Sequence, residues 1–157
     1  MRVEVDRITS LLTAIYDGEA WHGPSTQEIL TGITPEMAVF RPSPTVHNIA
    51  ELAVHLTNWR IFVLEKLTDS VSFDIILNSE ADWSVINELT DDKWQEILDN
   101  LQETQEELVE TLGRISSHKL NDQVPGRRYN YYTLLHGMLH HEAYHSGQMA
   151  HLKKMLV

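Results

Sequence analysis

The chain has 157 residues, 42% of them hydrophobic, which suits one globular domain spanning residues 1–157 with a sizeable core. Lys and Arg number 12 against 23 Asp and Glu, a formal net charge of −11. That balance argues against a nucleic-acid partner, because neutralising phosphates needs a cationic face and only a small basic patch around "GRRY" is present. With no cysteine, disulfides, thiolate ligands and cysteine nucleophiles are excluded, and a reducing, cytoplasmic setting is expected. The charged N-terminus "MRVEVDRITSLL" lacks the apolar core of a signal peptide. No apolar run approaches the roughly 20 residues of a membrane helix, so no membrane partner is expected.

Val5, Ile8, Leu11, Leu12 and Ile15 recur at helical spacing and predict a first helix that Gly18 ends. "WHGPSTQEILTGITPEMAVFRPSP" is a long connection, with a short helix expected at Ser25–Leu30. A second long helix is read from about Val46 to Leu67. Asp69 to Leu89 has mixed patterning and reads as an irregular crossover. Thr90 is a good N-cap for the third long helix, whose stripe runs through Trp94, Ile97, Leu98, Leu101, Leu108, Leu112 and Ile115. Glu103, Glu106, Glu107 and Glu110 cover its solvated side. "NDQVPGRR" breaks the chain, and a fourth long helix follows from about Asn130 to Met155. No convincing strand pair appears. The reading is all-α: a four-helix bundle with long connections after its first and second helices.

The fourth helix contains "HEAYHSGQMAH", whose His141, Glu142 and His145 spell the H-E-x-x-H of zinc proteases. His151 stands near the place of a third ligand in the longer protease motif, but Gly147 comes one position too early. With His141 set at zero and about 100° per residue, Leu134 and Leu152 fall at about 20° and His145 at about 40°. His141 and His145 thus lie in the apolar stripe, whereas His136, His140 and His151 fall at about 220°, 260° and 280°, on the polar side. "QMAHLKKML" keeps the helical phase past Gly147, which predicts one continuous helix and leaves His151 off the site. No glutamate follows Glu142 to serve as a later ligand, and no strands supply a peptide-binding sheet. The protease reading is therefore weakened.

Two inward imidazoles one turn apart must each be desolvated and paired, which points to a metal site more than to core histidines satisfied by hydrogen bonds. A catalytic divalent centre usually has three protein ligands and an open position. On the second helix His55 borders the stripe of Trp59, Leu52 and Val63, which makes it the best-placed third ligand. His47 is better placed to start that helix.

These residues resemble the DinB-like (YfiT-like) four-helix metalloproteins. "HNIAELAVHLTNWR" is similar to that family's second helix, and "LLHGMLHHEAYHSGQMAHLKK" to its fourth, with H-x-x-x-H followed by G-Q at Gly147–Gln148. "EAWHGPS" and "FRPSPTVHNI" resemble a common branch of the family. The resemblance implies an up-down-down-up bundle and His55, His141 and His145 as ligands of one divalent ion per chain, nickel or zinc. It also implies a homodimer. The expected function is a metal-dependent, thiol-dependent S-transferase acting on a small molecule, with a low-molecular-weight thiol as cosubstrate. A metal-dependent hydrolase is the other enzyme reading, and a non-catalytic metal- or small-molecule-binding stress protein is the rival. Gln148, at about −20°, is a candidate to hold a ligand or bound water, or to pack between helices. Glu142 is a candidate base, or the partner of a neighbouring helix. His22 sits in a loop long enough to fold over the site, and Trp59 is a core residue or a pocket wall.

Overall fold

The computed structural model describes residues 3–156. Its elements are α1 (Val3–Asp17), α2 (Thr26–Leu30), α3 (Pro35–Ala38), α4 (Ile49–Leu67), α5 (Asp91–Arg114), a 3-10 turn at Ser117–Asn121 and α6 (Tyr131–Lys154). Among the described residues there is no strand, only an isolated bridge between Gln123 and Asn130. Nor is any helix long and apolar enough to cross a membrane.

Side-chain caps set the starts of the helices. Asn48 and Glu51 form a reciprocal capping box on α4, and Ser25 and Glu28 do the same on α2. Thr90 and Asn130 each accept a backbone N–H at the starts of α5 and α6. Because Asn48 caps it, α4 begins at Ile49 rather than near Val46, and His47 precedes the helix. α3 was not foreseen: Thr34 caps it and Pro35 opens it, inside a stretch whose prolines read as loop. Leu11, expected in the core stripe of α1, is 52% exposed. The four glutamates of α5 at 103, 106, 107 and 110 are exposed as expected.

The four long helices enclose the core, α4 and α1 each packing against both α5 and α6. The apolar interior divides into two clusters. One gathers Val5, Ile8 and Leu12 of α1 with Phe62, Val63, Leu108, Leu112, Leu135 and Met138. The other gathers Tyr16, Leu52, Ala53, Leu56, Trp94, Leu101, Met149 and Leu152. Buried polar side chains lie along the α4–α6 seam: His55 and Arg60 on α4, and Glu142 and His145 on α6.

The crossover from 68 to 90 carries no helix, and one face of α4 pins it in place. Asn48 donates to the Ile86 carbonyl, the Ile86 N–H donates to Glu51, and Asn58 donates to the Ala81 carbonyl. These anchors recur at helical spacing, so a segment without its own periodicity takes its register from the helix beneath it.

Candidate metal centre

His55 of α4 and His141 and His145 of α6 converge, with one ligand nitrogen from each lying within 4.8 Å of the others. The i, i+4 spacing on a continuous α6 stacks the last two on one face. His55 Nδ1 lies 2.8 Å from the Asp82 carbonyl oxygen. A carbonyl can only accept, so Nδ1 carries the proton and Nε2 presents a lone pair. His145 Nδ1 likewise donates to Gln148 Oε1 at 2.7 Å, which frees its Nε2. An acceptor behind each ring is the arrangement that orients metal-ligating histidines.

The inner nitrogens then face one another. His55 Nε2 is 3.0 Å from His141 Nε2, near the roughly 3.3 Å that two nitrogens keep on a tetrahedral zinc. Either the one N–H of a neutral His141 or a cation can lie between them. A second proton on any ring, which would make it an imidazolium, is disfavoured. Burial, then repulsion from His145 and His55, pushes the His141 pKa down to about 3. Burial pushes His145 down to about 4 against the pull of Gln148, and also lowers His55 against the pull of Asp82. Three neutral imidazoles, those of His55 and His145 with fixed outer nitrogens, fit a divalent ion by donor type and spacing.

Asp82 organises the crossover beside His55. Besides its carbonyl, its Oδ1 accepts from Trp59 Nε1 at 2.9 Å and its Oδ2 from the Asn78 N–H at 2.8 Å. Asn78 has φ of 61°, the left-handed conformation that asparagine tolerates, and so closes the turn. The next residue, Trp83, stacks at 3.7 Å on His55 and at 3.7 Å on His47, nearly parallel to both. Two rings at that spacing cannot share one face of an indole, so Trp83 is sandwiched between the histidines. Its ring lines two cavities, each bordered by members of the triad. One, of about 600 Å³, is bordered by His55 and His141. The other, of about 530 Å³, is bordered by His145, Gln148, His47 and His151.

The remaining sequence candidates fall elsewhere. Both carboxylate oxygens of Glu142 are held by Arg60, at 2.7 and 2.8 Å, so its structural place is a helix-to-helix pair. His22 is exposed and borders neither cavity. His151 is exposed on the unbroken helix, outside the triad. His140 is exposed, and His136 is half-buried near Glu4 and Tyr132. Trp59 is a partly buried wall of the larger cavity. Sequence reading missed Asp82, Trp83 and Arg60. The one available signal was chemical: a ligating histidine needs an acceptor behind it, and the crossover offers several.

No curated protein and no solved structure matches the chain significantly. Residues 20–149, spanning the converging histidines and most of the bundle, match the DinB superfamily, and the chain belongs to that superfamily.

Proposed function

We propose that the chain is a divalent-metal-dependent enzyme of the DinB superfamily that transfers a group between a thiol cosubstrate and a second small molecule. The observation that carries the metal reading is the triad itself: three neutral imidazoles, two with their outer nitrogens fixed by acceptors, and inner nitrogens as close as 3.0 Å. A divalent ion, nickel or zinc, bound to His55, His141 and His145 would supply Lewis acidity that favours the thiolate form of a thiol.

Transfer is favoured over hydrolysis by the state of the nearby carboxylates. The Glu142 carboxylate is occupied by Arg60, and that of Asp82 by Trp59 and Asn78. Neither is free to act as a base toward water. Two cavities, each bordered by members of the triad, suit two reactants better than one. Trp83 lines both, and Gln148 holds the His145 ring in one orientation. The up-down-down-up order belongs to the same reading. Its support is that α1 and α6 pass from the first apolar cluster toward the second, while α4 and α5 pass the other way. A cytoplasmic homodimer completes the proposal.

The test is metal- and thiol-dependent loss of a chromogenic electrophile such as 1-chloro-2,4-dinitrobenzene, scanned across small thiols. Turnover that needs both metal and thiol, and disappears in His141→Ala, supports transfer. Turnover of a nitrophenyl ester with metal but no thiol would replace it with hydrolysis.

A further inference from the structure

The larger cavity differs in character from the triad it adjoins. Its floor is Phe62, Val63, Leu134 and Met138, each less than a tenth exposed, with Trp59 and Trp83 as walls. No lysine or arginine lines it. The cations near it are engaged: Arg127, beside the Phe62 ring, pairs with Asp74, Lys66, beside the same ring, donates to the carbonyls of Ser70 and Phe73, and Arg60 pairs with Glu142. The one carboxylate on its wall, Asp82, already accepts from two donors, Trp59 Nε1 and the Asn78 N–H. An anion placed against this floor, away from the triad, would lose its hydration and meet no side-chain counter-charge, a cost that apolar contact does not offset.

The mouth is open and also apolar on one lip. Leu77, on the crossover, lines the cavity and is 68% exposed. Across from it the α6 lip is Thr133 and Gly137, one turn apart and in line with His141. A Cβ built on Gly137 meets nothing within 4 Å. A glycine at this position leaves the entrance without a side chain.

We propose that this chamber takes an uncharged, apolar group, aromatic or branched-alkyl, of the substrate that reacts beside His55 and His141. It rests on the reading of the triad as the reaction centre. The polar cosubstrate is left to the second cavity, where His47, Gln148 and His151 offer hydrogen bonds.

The experiment uses two fluorescent probes that share a scaffold: neutral N-phenyl-1-naphthylamine and its sulfonated analogue 1-anilinonaphthalene-8-sulfonate. Binding is read as probe fluorescence excited through tryptophan, with and without zinc. The neutral probe should bind at least about tenfold more tightly than the sulfonate. Gly137→Leu should cut neutral-probe affinity by at least about tenfold, while the matched change Gly113→Leu on α5, also with open space around its Cβ, leaves it unchanged. Circular dichroism should show both variants folded, and both should take up zinc as the parent does. Equal affinity for the two probes, no binding of the neutral probe by folded protein, or neutral-probe binding indifferent to Gly137→Leu would each overturn the proposal. Zinc uptake is scored separately. A chain that binds the neutral probe at Gly137 but takes up no metal keeps the chamber and loses the metal reading, and the opposite result loses only the chamber.

Discussion

Two buried polar clusters share the seam between α4 and α6, and they are built on opposite principles. In one, Arg60 gives Nε and Nη2 to both oxygens of Glu142, gives Nη1 to the Leu101 carbonyl at 2.7 Å and lies over the Tyr16 ring. Opposite charges and complementary donors satisfy each other, and the cluster is closed. In the other, three imidazoles of one kind meet. Asp82 and Gln148 satisfy two of the outer nitrogens, but the inner ones have only each other. Both clusters are buried, so burial does not distinguish them. What distinguishes them is how the members complement one another: the first locks helices together through opposite charges, while the second gathers three like ligand groups that could hold an ion.

The most severe way to break this contrast is to open the lock. Arg60→Met leaves Glu142 buried without its partner and should cost about 3–5 kcal/mol in urea unfolding. The double change Arg60→Met with Glu142→Leu removes both charges and should recover most of that loss, while metal uptake persists because the triad does not draw on the pair. A single variant as stable as the parent would show that the pair is not a lock.

A smaller effect is expected behind the triad. Asp82→Ala frees the turn that presents the carbonyl to His55, and Gln148→Ala removes the acceptor behind His145. Each should weaken metal affinity by about 10–100-fold, read by competition with a chelating dye. Asp82→Ala should be the worse of the two, since Trp59 and Asn78 lose their acceptor as well. Unchanged affinity in both would mean that these contacts do not tune the site.

The smallest effect concerns the base of α4, where the crossover is pinned. Burial alone would raise the Glu51 pKa, but Arg41, the Ile86 amide and His47 outweigh it and hold it below the ordinary value of 4.5. A carboxylate depressed in the folded state stabilises the fold fully above its unfolded pKa and ceases to do so as pH falls through the folded one. The urea midpoint should therefore drop as the protein is taken below about pH 4.5, and Glu51→Gln should show a shallower drop. Parallel acid profiles for the two proteins would remove Glu51 from the account.

Much of this architecture was legible in the chain. α5 and α6 announced themselves through the Trp94–Leu112 stripe, the phase from Leu134 to Leu152, and caps at Thr90 and Asn130. The same phase separated His141 and His145 from His136, His140 and His151, because helical angle is a local property. Asp82 and Trp83 were not legible. They lie in a stretch with no period, and their positions are dictated by side chains of another element, Asn48, Glu51, His55 and Asn58. Arg60 was hidden for a related reason. A charged residue on a helix reads as solvated until its buried partner, 82 positions away in sequence, is known. Elements follow local pattern, whereas polar partners across a seam depend on tertiary approach.

The central claim is that the triad holds a cation. The most direct measurement is metal content by inductively coupled plasma mass spectrometry after zinc loading and gel filtration. The account predicts about one ion per chain in the parent and in His136→Ala, His140→Ala and His151→Ala. It predicts essentially none in His55→Ala, His141→Ala or His145→Ala, all of them folded by circular dichroism. Metal retained by the triad variants, or lost from the surface variants instead, would contradict it.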